Sequence, residues 1–189
     1  MTAETVSAIA SIGTFLVILV TAIAALIQLR HIRSANQLTG LLHATARWES
    51  EVLQSAGSFI QTQLAARLKD PEFRAGLWAR SPDRRLHPEL HVADWCEQLG
   101  SYIKYGMISQ EQYLDLGGLY VDVMWEHLRE VVAICRAASQ TSAKFENFEY
   151  LAACSRIWRA KHAKGNYPRS VARLMPEEEW TSLVDPRKQ

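Results

Sequence analysis

The chain has 189 residues, enough for one apolar anchor and one domain with a single modest core. A formal net charge of +1 selects no class of partner by itself, but the charge is unevenly spread. Residues 1–88 carry nine Lys/Arg against six Asp/Glu, residues 89–149 carry four against ten, and residues 150–189 carry eight against four. An acidic middle and a basic end can complement each other inside one fold, or the basic end can face anionic lipid headgroups. Three cysteines, Cys96, Cys135 and Cys154, cannot all pair within one chain, and their spacing fits no zinc motif. They read as small buried hydrophobes in a reducing compartment.

The first element is an apolar run from Val6 to Ile27, 22 positions without a charge. Twelve of these are Val, Ile, Leu or Phe. As a helix the run is about 33 Å long, against a hydrocarbon core of roughly 30 Å. The twelve large side chains favour insertion by roughly 4–7 kcal/mol. A cleaved signal peptide would want a basic start, a shorter run and a nearby small-residue site. Here Glu4 is the only charge before the run, and the one A-x-A, Ala44-Thr45-Ala46, lies far beyond it. Arg30, His31 and Arg33 follow directly, so the positive-inside rule puts the C-terminal side in the cytoplasm and a short N-terminus outside. Residues 1–33 are thus expected to form an inner-membrane anchor with its basic flank.

A helical domain is expected over residues 34–165. Leu38, Leu42, Ala46, Leu53, Ala56, Ile60, Leu64 and Leu68 recur at mostly helical spacing. The spacing predicts a helix to about Lys69, either unbroken with the span or hinged near Ser34 or Gly40. Asp70-Pro71 ends it, because the residue before a proline avoids the helical region. A short helix through Glu72–Trp78 and a loop through Ser81–Arg85 follow. Pro88 suits the first position of a helix that ends near Gly106. Ser109 then caps a helix to about Ala138, with Gln112 completing a capping box. Its expected buried side is Tyr113, Leu116, Tyr120, Val123, Met124, Leu128, Val131 and Cys135. Gly117-Gly118 inside it calls for a close helix approach or a kink. A last helix is expected over Phe145–Ala163, then an irregular tail over 166–189. No alternating run signals a strand, so the fold class is all-α.

The stretch from Trp95 to Ser109 reads as an apolar helix, then Lys104-Tyr105-Gly106-Met107-Ile108-Ser109. Trp125 and the run Phe145–Ala152 come later. Behind one N-terminal span, these resemble an uncharacterised family of bacterial single-span helical proteins, a domain of unknown function. The resemblance implies the architecture and carries no functional residues.

Chemistry-bearing clusters are few. His87, His91, Asp94 and Cys96 lie close together, but Pro88 leaves only His91 and Asp94 reliably on one face. They read as polar residues around a helix start. The acidic residues Glu111 to Glu149 include no Glu-x-x-His pair of the di-iron kind. No phosphate-cradling or nucleophile-elbow motif occurs. Arg156, Arg159, Lys161, Lys164, Arg169 and Arg173, interleaved with Trp158 and Tyr167, suit either a solvated helix end or a headgroup patch. Most tryptophans are expected in the core, with Trp180 exposed or docked on a partner.

The leading expectation is therefore a non-enzymatic, membrane-tethered accessory protein, acting as a homo-oligomer or as a subunit of a larger membrane complex. Arg30, Arg33, Arg156, Arg159, Lys161 and Lys164 are its expected lipid or partner contacts. No cofactor and no nucleic acid are expected. The alternatives are a membrane-bound enzyme with a site near His91, Asp94 and Glu97, or an effector acting on the membrane itself.

Overall fold

The computed structural model describes residues 2–174, and among these every regular element is helical. Helix α1 runs from Ala3 to Trp48 without interruption, so neither Ser34 nor Gly40 acts as a hinge. At 1.5 Å per residue its 46 residues extend about 69 Å. Thr14 and Thr21 donate to the carbonyls of Ala10 and Val17, one turn earlier, which satisfies both hydroxyls inside the apolar run. Eleven large apolar side chains between Val6 and Ile27 are each at least 44% exposed, so the rest of the described chain leaves this stretch uncovered.

The expected helix to Lys69 is broken after Trp48, where Ser50 is extended with ψ 141°. The cause is tertiary. The Trp48 ring lies 4.1 Å from that of Tyr120 and 5.5 Å from that of Trp95, and packs over Gly57. Nine residues of straight helix would separate Trp48 and Gly57 by about 13.5 Å. Only a bend brings them into contact. Gln54 Nε2 then donates to the Trp48 carbonyl at the broken end.

Helix α2 (Glu51–Phe59) passes through a π turn (Ile60–Leu64) into α3 (Ala65–Arg67). Asp70 ends this stretch and caps α4 (Pro71–Leu77), accepting from the Glu72 amide at 2.9 Å. Helix α5 (Glu89–Lys104) follows Pro88, which sits at the cap with helical dihedrals. Gly106 closes α5 with φ +69°, and the Met107 amide donates to the Tyr102 carbonyl at 2.9 Å. Helix α6 (Gln110–Ser139) begins after Ser109 as expected, yet the Ser109 hydroxyl makes no capping bond. Helix α7 (Glu146–Lys161) is slightly shorter than predicted. Residues 166–174 are irregular. The expectations for Pro176 and Trp180 lie outside the described residues.

Helix α5 is the centre of the bundle, with buried residues from Glu89 to Ile103, and α7 crosses it closely. A Cβ at Gly100 would run into the Asn147 carbonyl, so glycine sets how near the two helices come. Gly118 plays the same part between α6 and α7, where Ser155 Oγ donates to its carbonyl. This is the close approach that Gly117-Gly118 called for. It also fixes which side of α6 faces inward. Leu114, Gly118, Val121 and Val132 join Tyr113, Met124, Leu128, Val131 and Cys135 in the core. Leu116 and Val123, expected inside, face out at 66% and 38% exposure.

Replacing Gly100 with Ala forces α5 and α7 apart. Overpacking of this kind costs about 1–3 kcal/mol, against a helix-propensity gain of about 1 kcal/mol. Chemical unfolding of the detergent-solubilised chain should show Gly100→Ala destabilised. Gly57→Ala, where a Cβ meets its neighbours at an ordinary 3.5 Å, should be neutral or stabilising.

Candidate functional site

The cytoplasm-side expectation aside, α1 has one face that meets the bundle. Gln37, Gly40, Leu41, Ala44, Thr45 and Trp48 fall on one side of the helix, and these are its covered positions. Two contacts hold the face in place. Gln37 Nε2 donates to the Gly106 carbonyl at 3.0 Å. At Gly40 the helix backbone lies close against Ile108, whose Cγ1 is 3.0 Å from where a Cβ would stand. The α5–α6 turn is therefore pinned to α1.

Between these contacts lies a cleft of about 710 Å³. One wall is the α1 stripe from Leu29 to Arg47, and the other is α5 from Trp95 to Tyr102 with the turn Gly106–Ile108. Its chemistry is one-sided. Arg33, His43 and Arg47 line it, and no carboxylate does. Its apolar surface comes from Leu29, Ile32, Trp95, Leu99, Met107 and Ile108. Leu29, Ile32 and Met107 are each more than half exposed. Tyr105, on the same turn, is 70% exposed.

The residues singled out in the sequence are dispersed. Arg33 lines the cleft, and Arg30 is exposed beside it. Arg156 Nε donates to Asp122 Oδ1 at 2.6 Å and its other arm reaches Glu126, while Arg159 pairs with Asp122. The acidic middle and the basic end thus meet across α6 and α7. Lys161 and Lys164 are exposed and border a separate depression with His162, Tyr167 and Arg173.

His91, Asp94 and Glu97 do not converge, and none lines the cleft. Arg84 Nη2 donates to Asp94 Oδ2 at 2.8 Å. Glu97 accepts from Asn147 Nδ2 at 2.8 Å and from the Phe148 amide at 2.9 Å. It therefore caps α7 from a neighbouring helix, a favourable place for a negative charge. His91 is half-buried. Among the described residues no group of three or more His, Cys, Asp or Glu is placed to hold a metal. Cys96 and Cys135 are buried free thiols, and burial pushes both thiol pKa values up.

Sequence reasoning left His87 undirected at a helix start, whereas the structure buries it. His87 is 2% exposed and Glu89 is fully enclosed. His87 Nδ1 and Glu89 Oε1 share a 3.0 Å hydrogen bond, and Glu89 Oε2 has no partner among the described residues. The imidazole lies tilted against Phe73, with ring centroids 4.5 Å apart, and presses against Gly76. A side chain at position 76 would displace it. The only local signal was the 73/76 spacing on α4, which leaves room for a ring. Burial raises the Glu89 pKa, opposed by a backbone hydrogen bond and by His87.

The raised value means that the folded chain holds this proton more tightly than the unfolded one. Native protein binds more protons between the ordinary carboxylate value and the raised one, so Glu89's contribution falls as pH climbs through that window. Glu89→Gln should remove the decline. Unfolding free energies of parent and variant, measured across acid to neutral pH, should diverge through the window and then run level. Parallel curves would contradict an enclosed, proton-holding carboxyl.

Protein-family models, curated proteins and solved structures all give no match to this chain, so its function is read from its own residues.

Proposed function

We propose that this chain is a membrane-tethered, non-enzymatic interaction or accessory protein, working as a homo-oligomer or as a subunit of a larger membrane complex. Helix α1 is long and apolar enough to cross a bilayer. The observation that carries the reading is its two-part surface. Val6–Ile27 is uncharged and exposed all round, whereas Gln37–Trp48 has one covered face. A helix apolar on every side suits lipid, and one apolar stripe suits a bundle. Arg30 and Arg33 after the run, with only Glu4 before it, favour the bundle lying on the cytoplasmic side of an inner membrane.

An interaction role is favoured by apolar side chains that the bundle leaves outward. Leu38 and Leu42 on α1 and Leu116 and Leu119 on α6 are each more than half exposed. Exposed apolar surface of this kind marks contact sites. The enzyme reading around His91, Asp94 and Glu97 loses ground, because Asp94 and Glu97 already serve an ion pair and a helix cap.

Two measurements test the proposal. After alkaline carbonate extraction the chain should stay with the membrane pellet, and recovery in the aqueous fraction would refute the tether. From mild detergent it should purify as a stable oligomer or with a stoichiometric partner. A lone monodisperse monomer would count against the interaction role.

A further inference from the structure

We propose that the cleft between α1 and the α5–α6 turn holds an anionic phospholipid of the leaflet nearer the bundle, its phosphate at Arg33 and its acyl chains along Leu29 and Ile32. This rests on the reading of α1 as a membrane span.

Position comes first. Leu29 lies about 3 Å, Ile32 about 7.5 Å and Arg33 about 9 Å along the helix beyond Ile27. The polar layer on each side of the hydrocarbon is about 5–8 Å deep. The Leu29–Arg33 end of the cleft therefore lies at headgroup level, with Leu29 and Ile32 toward the hydrocarbon, whereas His43 and Arg47 stand about 24 and 30 Å beyond Ile27. Arg33 stands at the outer edge of the layer, where its long stem can bend back toward a phosphate.

Charge comes second. At its membrane end the cleft carries Arg33, and no acidic residue lines it anywhere. Unlike Arg156 and Arg159, whose charges are spent on Asp122 and Glu126, Arg33 makes no ion pair among the described residues. Beyond it, Asn36 and the Oε1 of Gln37 offer polar groups for a hydroxylated headgroup. The third argument is continuity. Exposed Met107 on the pinned turn lines the cleft together with Leu29 and Ile32. A lipid without net negative charge would satisfy the rim and leave the charge of Arg33 unbalanced.

Leu29→Trp, at the membrane end of the cleft where the parent side chain is 62% exposed, supplies the reporter, read against the parent chain. The full-length chain is assembled into phosphatidylcholine nanodiscs containing a minor fraction of brominated phosphatidylglycerol or, separately, brominated phosphatidylcholine. Tryptophan fluorescence is read as the brominated fraction rises. The tryptophan added by Leu29→Trp should be quenched by brominated phosphatidylglycerol at a lower fraction than by brominated phosphatidylcholine, and the parent chain should lack the difference. Arg33→Gln in the Leu29→Trp chain should raise the half-quenching fraction of phosphatidylglycerol about fivefold, the loss of one basic residue near an anionic lipid. Equal quenching by the two lipids, or an unchanged preference in Arg33→Gln, would overturn the lipid site while leaving the tether intact. A chain that stays outside the discs would overturn the tether and the site together.

Discussion

The constraint on which this molecule depends is the continuity of α1. Backbone amides and carbonyls in lipid must be paired internally, so a span has to be helical. Here the helix does not stop where the apolar run stops, and it reaches Trp48 before it breaks. No joint separates the greasy half from the half that meets the bundle. On the proposed reading of α1 as a span, the height of the α5–α6 turn above the hydrocarbon is set by residue count: Gln37 and Gly40 dock about 15 and 20 Å beyond Ile27. The orientation of the cleft follows from the same rigidity.

Magnitudes decide what holds the remainder together. Leu53, Leu64, Leu99, Leu114, Leu128 and Phe148 are almost wholly enclosed, and each such side chain contributes about 1.5–3 kcal/mol by burial. Solvent-exposed ion pairs contribute about 0–1 kcal/mol each. The α6–α7 arginine–carboxylate cluster is therefore a device for register, not the source of stability. Gly100, Gly118 and the Glu97 cap act on register as well, by allowing and then fixing the close crossing of α7 over α5 and α6. The His87–Glu89 pair is the exception in a mostly apolar interior. A buried carboxyl with one unpartnered oxygen is a standing cost, moderated by its histidine.

What could be read from the sequence is what local chemistry decides. Composition alone marked the apolar run. Asp70-Pro71 and Gly106 marked boundaries because prolines, side-chain caps and left-handed glycines act on their immediate neighbours, whereas Ser109 marked the start of α6 without its hydroxyl making the expected cap. The all-α class followed from periodicity. Distant partners account for the misses. The break after Trp48 exists because Tyr120, Trp95 and Gly57 claim its ring. Helix α6 carries apolar residues on more than one side, and only the approach of Ser155 to Gly118 selects which side is buried. Glu97 finds its role 51 residues away, at the Phe148 amide. Arg33 was legible as a basic flank, but the cleft around it needed the turn to fold back onto α1.

The most direct test is a nitroxide scan of α1 from Phe15 to Trp48 with the full chain in bilayers. Label mobility and collision rates with oxygen and with a water-soluble relaxant are read at each position. The account predicts one helical oscillation of about 3.6 residues, unbroken from the lipid-buried stretch onward. Its least mobile positions should be Gln37, Gly40, Ala44 and Trp48, and oxygen access should fall past Ile27. A phase break between Ser34 and Gly40, or loss of the oscillation there, would show a hinge and remove the rigid link from bilayer to bundle.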